Sequence, residues 1–287
     1  MKTLALVLLW LIALPLSAGA ADSSPAPPER SLKVVTLNLY HDKDDWPKRR
    51  AQIVAELKRL RPDAIALQEV LQDEGLINQA QWLAAELGYR WHFVSTDPAG
   101  QPRRYGNALL TRHPILQRGQ KFLQPLDDNR TAAFLRIDLH GQPLNLYATH
   151  LHWTDQGEAI RARQIADLMQ YIAATSENIP SLVAGDFNST ADSPELAALR
   201  DGFVDIYGNL HPQADAASSS TLNLKYFAPK RIDHVFFQRD AFTPVGAKIL
   251  FDLADAQGIW ASDHFGMLAE LRLTALETEA MPALNPP

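Results

Sequence analysis

Along this chain, apolar runs repeatedly end in a side chain able to bind a cation or move a proton. Residues 180–190 read PSLVAGDFNST, so an apolar run closes on Asp186, with Asn188 two residues later. The same ending recurs at Asn38 after VVTL, at Glu69 in AIALQE and at His150 after LNLYAT. It recurs again at Asp233 in RID and at Asp263 and His264 in ASDH. If these ends share one edge of the sheets, one cleft gathers four carboxylates, two imidazoles and two carboxamides. Carboxylates with Asn and no thiol suit a hard, oxygen-seeking cation: Mg²⁺, or Mn²⁺ or Ca²⁺. Imidazoles hold phosphoryl oxygens or carry protons. An Asp beside a positioned Asn orients an attacking water. Together these groups supply what metal-assisted hydrolysis of a phosphoester needs.

Taken singly, each residue has an ordinary structural reading. Asn38 reads as a turn residue, the Gly-Asp-Phe-Asn tetrad as an Asx turn, and Glu69 as a solvated or paired carboxylate. His41, His92, His113, His140, His211 and His234 keep the structural reading. His152 shares strand parity with His150 and is an accessory candidate. Trp153 and Trp260 flank the strand ends and are read as core or rim packing.

The elements that must position these groups interleave strands with helices. LKVVTLNL and DAIALQEV are strand-like, and DWPKRRAQIVAELKRL between them carries Ile53, Val54, Leu57 and Leu60 at helical spacing. NQAQWLAAELG is a helix closed by Gly88. AAFLRIDLHGQPLNLYATHL reads as two strands joined by a Gly-Pro turn, and GEAIRARQIADLMQYIAA as a long amphipathic helix. SPELAALRDG reads as a helix capped by Ser193. IPSLVAGDFN, RIDHVFFQ, AKILFD and HFGMLAELRL are further strands. The pattern is α/β, with strands apolar on both sides, as two face-packed sheets with helices outside require.

The chain has 287 residues and no cysteine, so its stability must come from a core rather than disulfides. Residues 1–20 have the layout of a secretory signal peptide, with cleavage expected after Ala20. Residues 21–31 are a Pro/Ser-rich linker, 32–274 one domain, and 275–287 a flexible tail. The expected location is the periplasm or the medium, as a monomer without stable membrane insertion once the signal is removed. Loss of residues 1–20 removes Lys2 and no acid, taking the net charge from −6 to −7. That excludes a broadly basic nucleic-acid coat.

In order, TLN, LQE, YGNALLTR, a later Arg, THL, GDFN, RID and SDH resemble the motif series of the endonuclease/exonuclease/phosphatase superfamily, over about residues 33–272. The resemblance implies a four-layered α/β sandwich: two packed mixed β-sheets flanked by helices. It implies that Glu69 is the primary metal carboxylate, with Asn38 nearby and Asp263 a further metal-associated carboxylate. Asp186 would orient or deprotonate the attacking water, and Asn188 would hold a phosphoryl oxygen. His264 would face the phosphate, oriented by Asp233. His150 would donate a proton to the leaving oxygen or bind phosphate. Arg130 sits where members place a phosphate-contacting Arg, while Asn107 orients His150 or holds its strand end.

The implied partner is a phosphoester substrate, nucleic acid included, cleaved by a divalent-metal-dependent phosphodiesterase or nuclease. The negative net charge argues mildly against tight nonspecific DNA binding. A phospholipid or sugar-phosphate phosphoesterase is the alternative within the fold, although no long apolar hairpin is present to enter a bilayer. A non-catalytic binding protein is the alternative outside enzymology.

Overall fold

The computed structural model describes residues 31–274. The signal segment, linker residues 21–30 and the tail lie outside the described residues. Ser31, read as the last linker residue, is the first residue of β1 and pairs with Arg272 of the final strand.

The first half of the chain forms β1 (Ser31–Asn38), α1 (Trp46–Leu60), β2 (Ala64–Gln72), α2 (Gln79–Leu87), β3 (Arg90–Ser95) and β4 (Arg104–Thr111). There follow β5 (Ile115–Phe122), β6 (Thr131–Leu139), β7 (Gln142–His150), α3 (Glu158–Thr175) and β8 (Ser181–Asp186). The chain closes with α4 (Ala197–Arg200), β9 (Phe203–Asp205), α5 (Ile206–Leu210), β10 (Asp233–Gln238), β11 (Phe242–Leu250) and β12 (Gly266–Leu273). Two six-stranded sheets result, ordered β11-β12-β1-β2-β4-β3 and β5-β6-β7-β8-β10-β9. Each contains one parallel pair, β1–β2 and β7–β8, among antiparallel neighbours. The fold is the expected four-layered α/β sandwich.

Alternation along the strands builds the layers. Val34 and Ala66 of the first sheet face Leu146, Ala148 and Ala184 of the second across the central core. The intervening Val35, Leu37 and Leu67 turn outward onto Ile53 and Leu57 of α1 and Leu83 of α2. Tyr147, Val183 and Phe236 likewise turn outward onto Ile165 and Leu168 of α3. Strands buried on both faces are therefore apolar at nearly every position. The helix ends are locally specified: Asp45 accepts from Lys48 N at the start of α1, and Gly88 closes α2 in a left-handed conformation.

Four local expectations change. The β6–β7 hairpin turns at His140-Gly141, both with positive φ (54° and 87°), the two-residue geometry that follows strand twist. Pro143 lies within β7 opposite Asp138 rather than in the turn. Ser193 makes no capping bond, and Pro194–Leu196 is a 3₁₀ turn leading into the single turn of α4. β3, β5 and β9 were not legible as strands; β5 is an edge strand whose middle, Gln117–Gly119, is polar and small.

Two backbone features aim the site. β2 carries a bulge: Gln68 and Glu69 stand against the single residue Asn107 of β4, with Glu69 at φ 54°. Gly185, just before Asp186, has φ 149°, and a Cβ there would sit 2.0 Å from the Thr149 carbonyl oxygen of β7. Only glycine fits that close approach of β7 to β8. Gly185→Ala is expected to cost roughly 2–4 kcal/mol from strain and overpacking combined, read as a lower urea midpoint. A cost below about 1 kcal/mol would mean that β7 and β8 separate freely, contrary to this packing.

Candidate active site

The C-terminal end of the parallel pair β1–β2, and that of β7–β8, open into one cleft of about 1200 Å³. Glu69, Arg130, His150, Asp186, Asn188, Asp263 and His264 all line it. Asn38 and Asp233 lie directly behind, each bonded to a lining residue. Nine of the ten residues singled out by sequence therefore meet in one place. The tenth, Asn107, does not reach the cleft: its amide donates to the carbonyl oxygen (3.0 Å) and hydroxyl (3.1 Å) of Thr131. It opposes the bulge and ties β4 to the start of β6, so of its two readings the structure favours holding the strand end.

Asp186 is the hub. Its Oδ2 accepts from Asn38 Nδ2 of the other sheet at 3.1 Å and lies 3.4 Å from His150 Nε2 and 3.9 Å from His264 Nδ1. Its Oδ1 accepts from the Asn188 backbone N–H at 2.9 Å. Burial, then the charge of Asp233, raises the Asp186 carboxyl above its ordinary range.

Strand alternation does not bring Asn188 to the cleft. β8 stops at Asp186, and Asn188 has φ 50°, so a left-handed turn presents it while its Nδ2 donates to Leu151 O at 3.0 Å. Phe187 between them is fully buried against Phe236.

The two imidazoles are driven apart. Burial, with the nearby Arg130 charge, pushes His150 down to about 4. Burial also works against a charge on His264, but Asp233, whose Oδ2 lies 2.9 Å from His264 Nδ1, and then Asp186 and Asp263 overcome it and raise the ring to about 10. Near neutrality the cleft thus holds one neutral imidazole and one imidazolium. Since Nδ1 is engaged by Asp233, the free nitrogen of His264 is Nε2.

Glu69 sits beside His41 Nε2 at 2.7 Å. Burial opposes its ionisation, yet His41 and the field of His150 bring it down to about 2. Burial, together with the charges of Glu69 and Asp186, lifts Asp263 to about 6 against the pull of His264. A firmly ionised Glu69 and an Asp263 whose charge is disfavoured by Glu69 both line the cleft, and such hard oxygen donors fit a divalent cation. Asp186, Asp233 and His264 also offer ligand atoms within 4.8 Å of one another. Within that trio the His264–Asp233 bond already occupies Nδ1 and Oδ2, while Asp233 Oδ1 is buried without a partner. The chemistry of the donors therefore favours Glu69 and Asp263.

The remaining residues near the cleft are placed as follows. Arg130 lines the cleft with a loose contact to Asp128 (3.7 Å) and a buried Nε without a hydrogen-bond partner. His152 follows the end of β7, so strand parity no longer governs it. Its ring binds Asp128 at 2.8 Å and Thr154 at 2.7 Å. Trp260 stacks on Phe265, whereas Trp153 is 68% exposed on the cleft rim. Arg231 is engaged by Asp205 (2.6 Å) and His234 (2.8 Å), while the preceding residue, Lys230, lines the cleft. Sequence reasoning missed His41 and Tyr105. The signal was present: His41 follows Asn38 by three residues in the same loop, and Tyr105 opens the YGN motif.

Comparison with known proteins agrees with this geometry. A model of the Endonuclease/Exonuclease/phosphatase family matches residues 35–264. The chain belongs to that family of phosphoester hydrolases. Among curated relatives, Protein angel of Drosophila melanogaster is 26% identical over 184 residues, 59% of this chain and 51% of its own length. Protein angel homolog 2 of Danio rerio is 30% identical over 180 residues, 57% of this chain and 31% of its own. The chain thus spans about half or less of these relatives. D. rerio TDP2 complexed with single strand DNA product superposes with a TM-score of 0.70 at 19% identity, covering 84% of this chain and 99% of that one. The human Nocturnin catalytic domain with bound sulfate anion gives 0.68 at 21% identity, covering 86% and 96%. At these identities the two structures speak for the fold.

The separation of the two imidazoles is directly testable. In metal-free protein, ring-nitrogen NMR is expected to show His264 protonated up to about pH 9 and His150 neutral down to about pH 6. Both rings titrating together near their ordinary value would refute the assignment.

Proposed function

We propose that the protein is an exported, divalent-metal-dependent phosphodiesterase, with nuclease activity as its leading specialisation. The observation that carries this reading is the meeting, at one cleft, of a desolvated Asp186, an imidazolium oriented by Asp233, and the carboxylate pair Glu69–Asp263. Export rests on the signal-like residues 1–20, and the choice of Mg²⁺, Mn²⁺ or Ca²⁺ on the hardness of the donors. The DNA product named for D. rerio TDP2 supports nucleic acid as the substrate class.

Glu69 and Asp263 would hold the cation, with Asn38 behind them. When bound, the cation supplies neutralisation of phosphate charge. The chain's own residues do the rest. His264 Nε2–H faces the phosphoryl oxygens as a fixed positive donor, and Arg130 contributes a second. Neutral His150 serves as a hydrogen-bonding ligand rather than an acid. Asp186, with its affinity for protons raised by burial, accepts a proton from the attacking water. The water oxygen bonds to phosphorus as the bond to the leaving oxygen breaks, and that oxygen is reprotonated from solvent. Asn188 steadies the Asp186 end of the site through its backbone N–H.

The test uses chain beginning at Ala21, assayed on bis(p-nitrophenyl) phosphate, p-nitrophenyl phosphate, plasmid DNA and sphingomyelin with each cation and with EDTA. Metal-dependent nicking of plasmid is the expected result. Asp186→Asn is expected to lower kcat on the order of 10²–10⁴-fold without lowering the unfolding midpoint, since it removes a desolvated charge. Full activity in EDTA, or an Asp186→Asn variant with normal turnover, would overturn the reading. Cleavage confined to sphingomyelin or a monoester would move the specialisation to another phosphoester.

A further inference from the structure

We propose that His41 is a positioning residue that fixes the orientation of the Glu69 carboxylate. The inference rests on Glu69 being a cation ligand. His41 Nε2 lies 2.7 Å from Glu69 Oε2, and donation to that oxygen orients Oε1 toward a cation. Both side chains line the cleft and are partly open to it.

The surrounding fold is built to keep this imidazole in place. Tyr40 and His41 are consecutive left-handed residues, with φ 57° and 44°. Such backbone persists only where the surroundings over-determine it. Here the His41 carbonyl oxygen accepts from Gln79 Nε2 at 2.6 Å and from Arg49 Nη2 at 2.9 Å. Gln79 Oε1 in turn accepts from Leu71 N–H at 2.9 Å, two residues beyond Glu69 on β2. One buried side chain therefore registers the loop bearing His41 against the strand bearing Glu69. Arg49, itself buried, spends its guanidinium on five carbonyl oxygens, those of Leu39, Tyr40, His41, Lys43 and Ala261. The last of these belongs to the segment that leads into Asp263. On its other side, the His41 ring meets Tyr105 edge-on at 5.1 Å. A surface histidine in an incidental contact needs none of these restraints.

A carboxylate bound on one oxygen presents the other in a single direction, which is how outer partners of metal ligands raise affinity. The readout is therefore cation affinity, by calorimetric titration of Mn²⁺ and Mg²⁺ into chain beginning at Ala21. His41→Ala is expected to weaken Mn²⁺ binding by 10–100-fold, the range for lost outer partners. His41→Gln, which keeps an N–H donor, is expected to stay within about threefold of the parent. His41→Phe keeps the packing on Tyr105 without the donor and is expected to behave like His41→Ala. It also serves if the alanine variant folds poorly, because metal-free urea midpoints equal to the parent's separate affinity from folding. Glu69→Gln is expected to abolish binding. If Glu69→Gln binds as tightly as the parent, or the parent binds no Mn²⁺, the assignment of Glu69 fails and the inference with it. If Glu69→Gln loses binding while His41→Ala and His41→Phe keep it, the inference alone is overturned.

Discussion

Asp186 is a carboxylate taken out of water at the seam between two sheets, and the arrangement of the cleft follows from keeping it there. A buried carboxylate costs several kcal/mol unless donors surround it. Its donors come from separate elements: an amide from Asn38 at the end of β1, and a backbone N–H from the turn after β8. Those elements reach one another only if both sheets end at the same level. The glycine that lets β8 approach β7 closely therefore belongs to the same constraint as the acid that follows it.

Around this carboxylate the protein divides its titratable groups by environment. Asp233 faces His264 and keeps a proton on it; Arg130 and burial keep one off His150. Glu69 is held firmly ionised, while Asp263 is lifted toward neutrality. One small volume thereby contains a fixed cation, a neutral donor, a strong ligand and a carboxylate that gains from any added positive charge. Pairs pushed apart in this way mark acid–base and charge-neutralising roles more sharply than any single shift does.

Part of the backbone strain lies at the same place. Tyr40, His41, Glu69 and Asn188 all adopt the left-handed region without being glycine. Each such residue costs on the order of 1–3 kcal/mol. For Tyr40 and His41, Arg49 and Gln79 supply the compensation through hydrogen bonds to their carbonyl groups. The loop after β1, the bulge in β2 and the segment before Asp263 are consequently parts of one rigid assembly rather than three independent loops.

Most of the architecture and most of the site were legible in the residues. Two-sided apolar strands such as VVTL and SLVA can only be buried between layers, and a polar group closing such a run must lie at a sheet edge. That reasoning brought its eight candidates to one cleft; of the two residues added by the family resemblance, Arg130 lines the cleft and Asn107 does not, its amide being satisfied locally by Thr131. Edge strands such as β5 were invisible because one polar, solvated face carries little periodic signal. Ser193, His152 and Asn188 departed from their expected geometry because turns, not strand or helix periodicity, set their directions. The chain alone determined which chemical groups were available and which segments would carry them, since hydrophobic periodicity is a local property. Only the tertiary structure decided that His41 meets Glu69, that Arg231 is turned away from the cleft, and which imidazole is charged. Those outcomes depend on distances and desolvation between residues far apart in sequence, which no local pattern encodes.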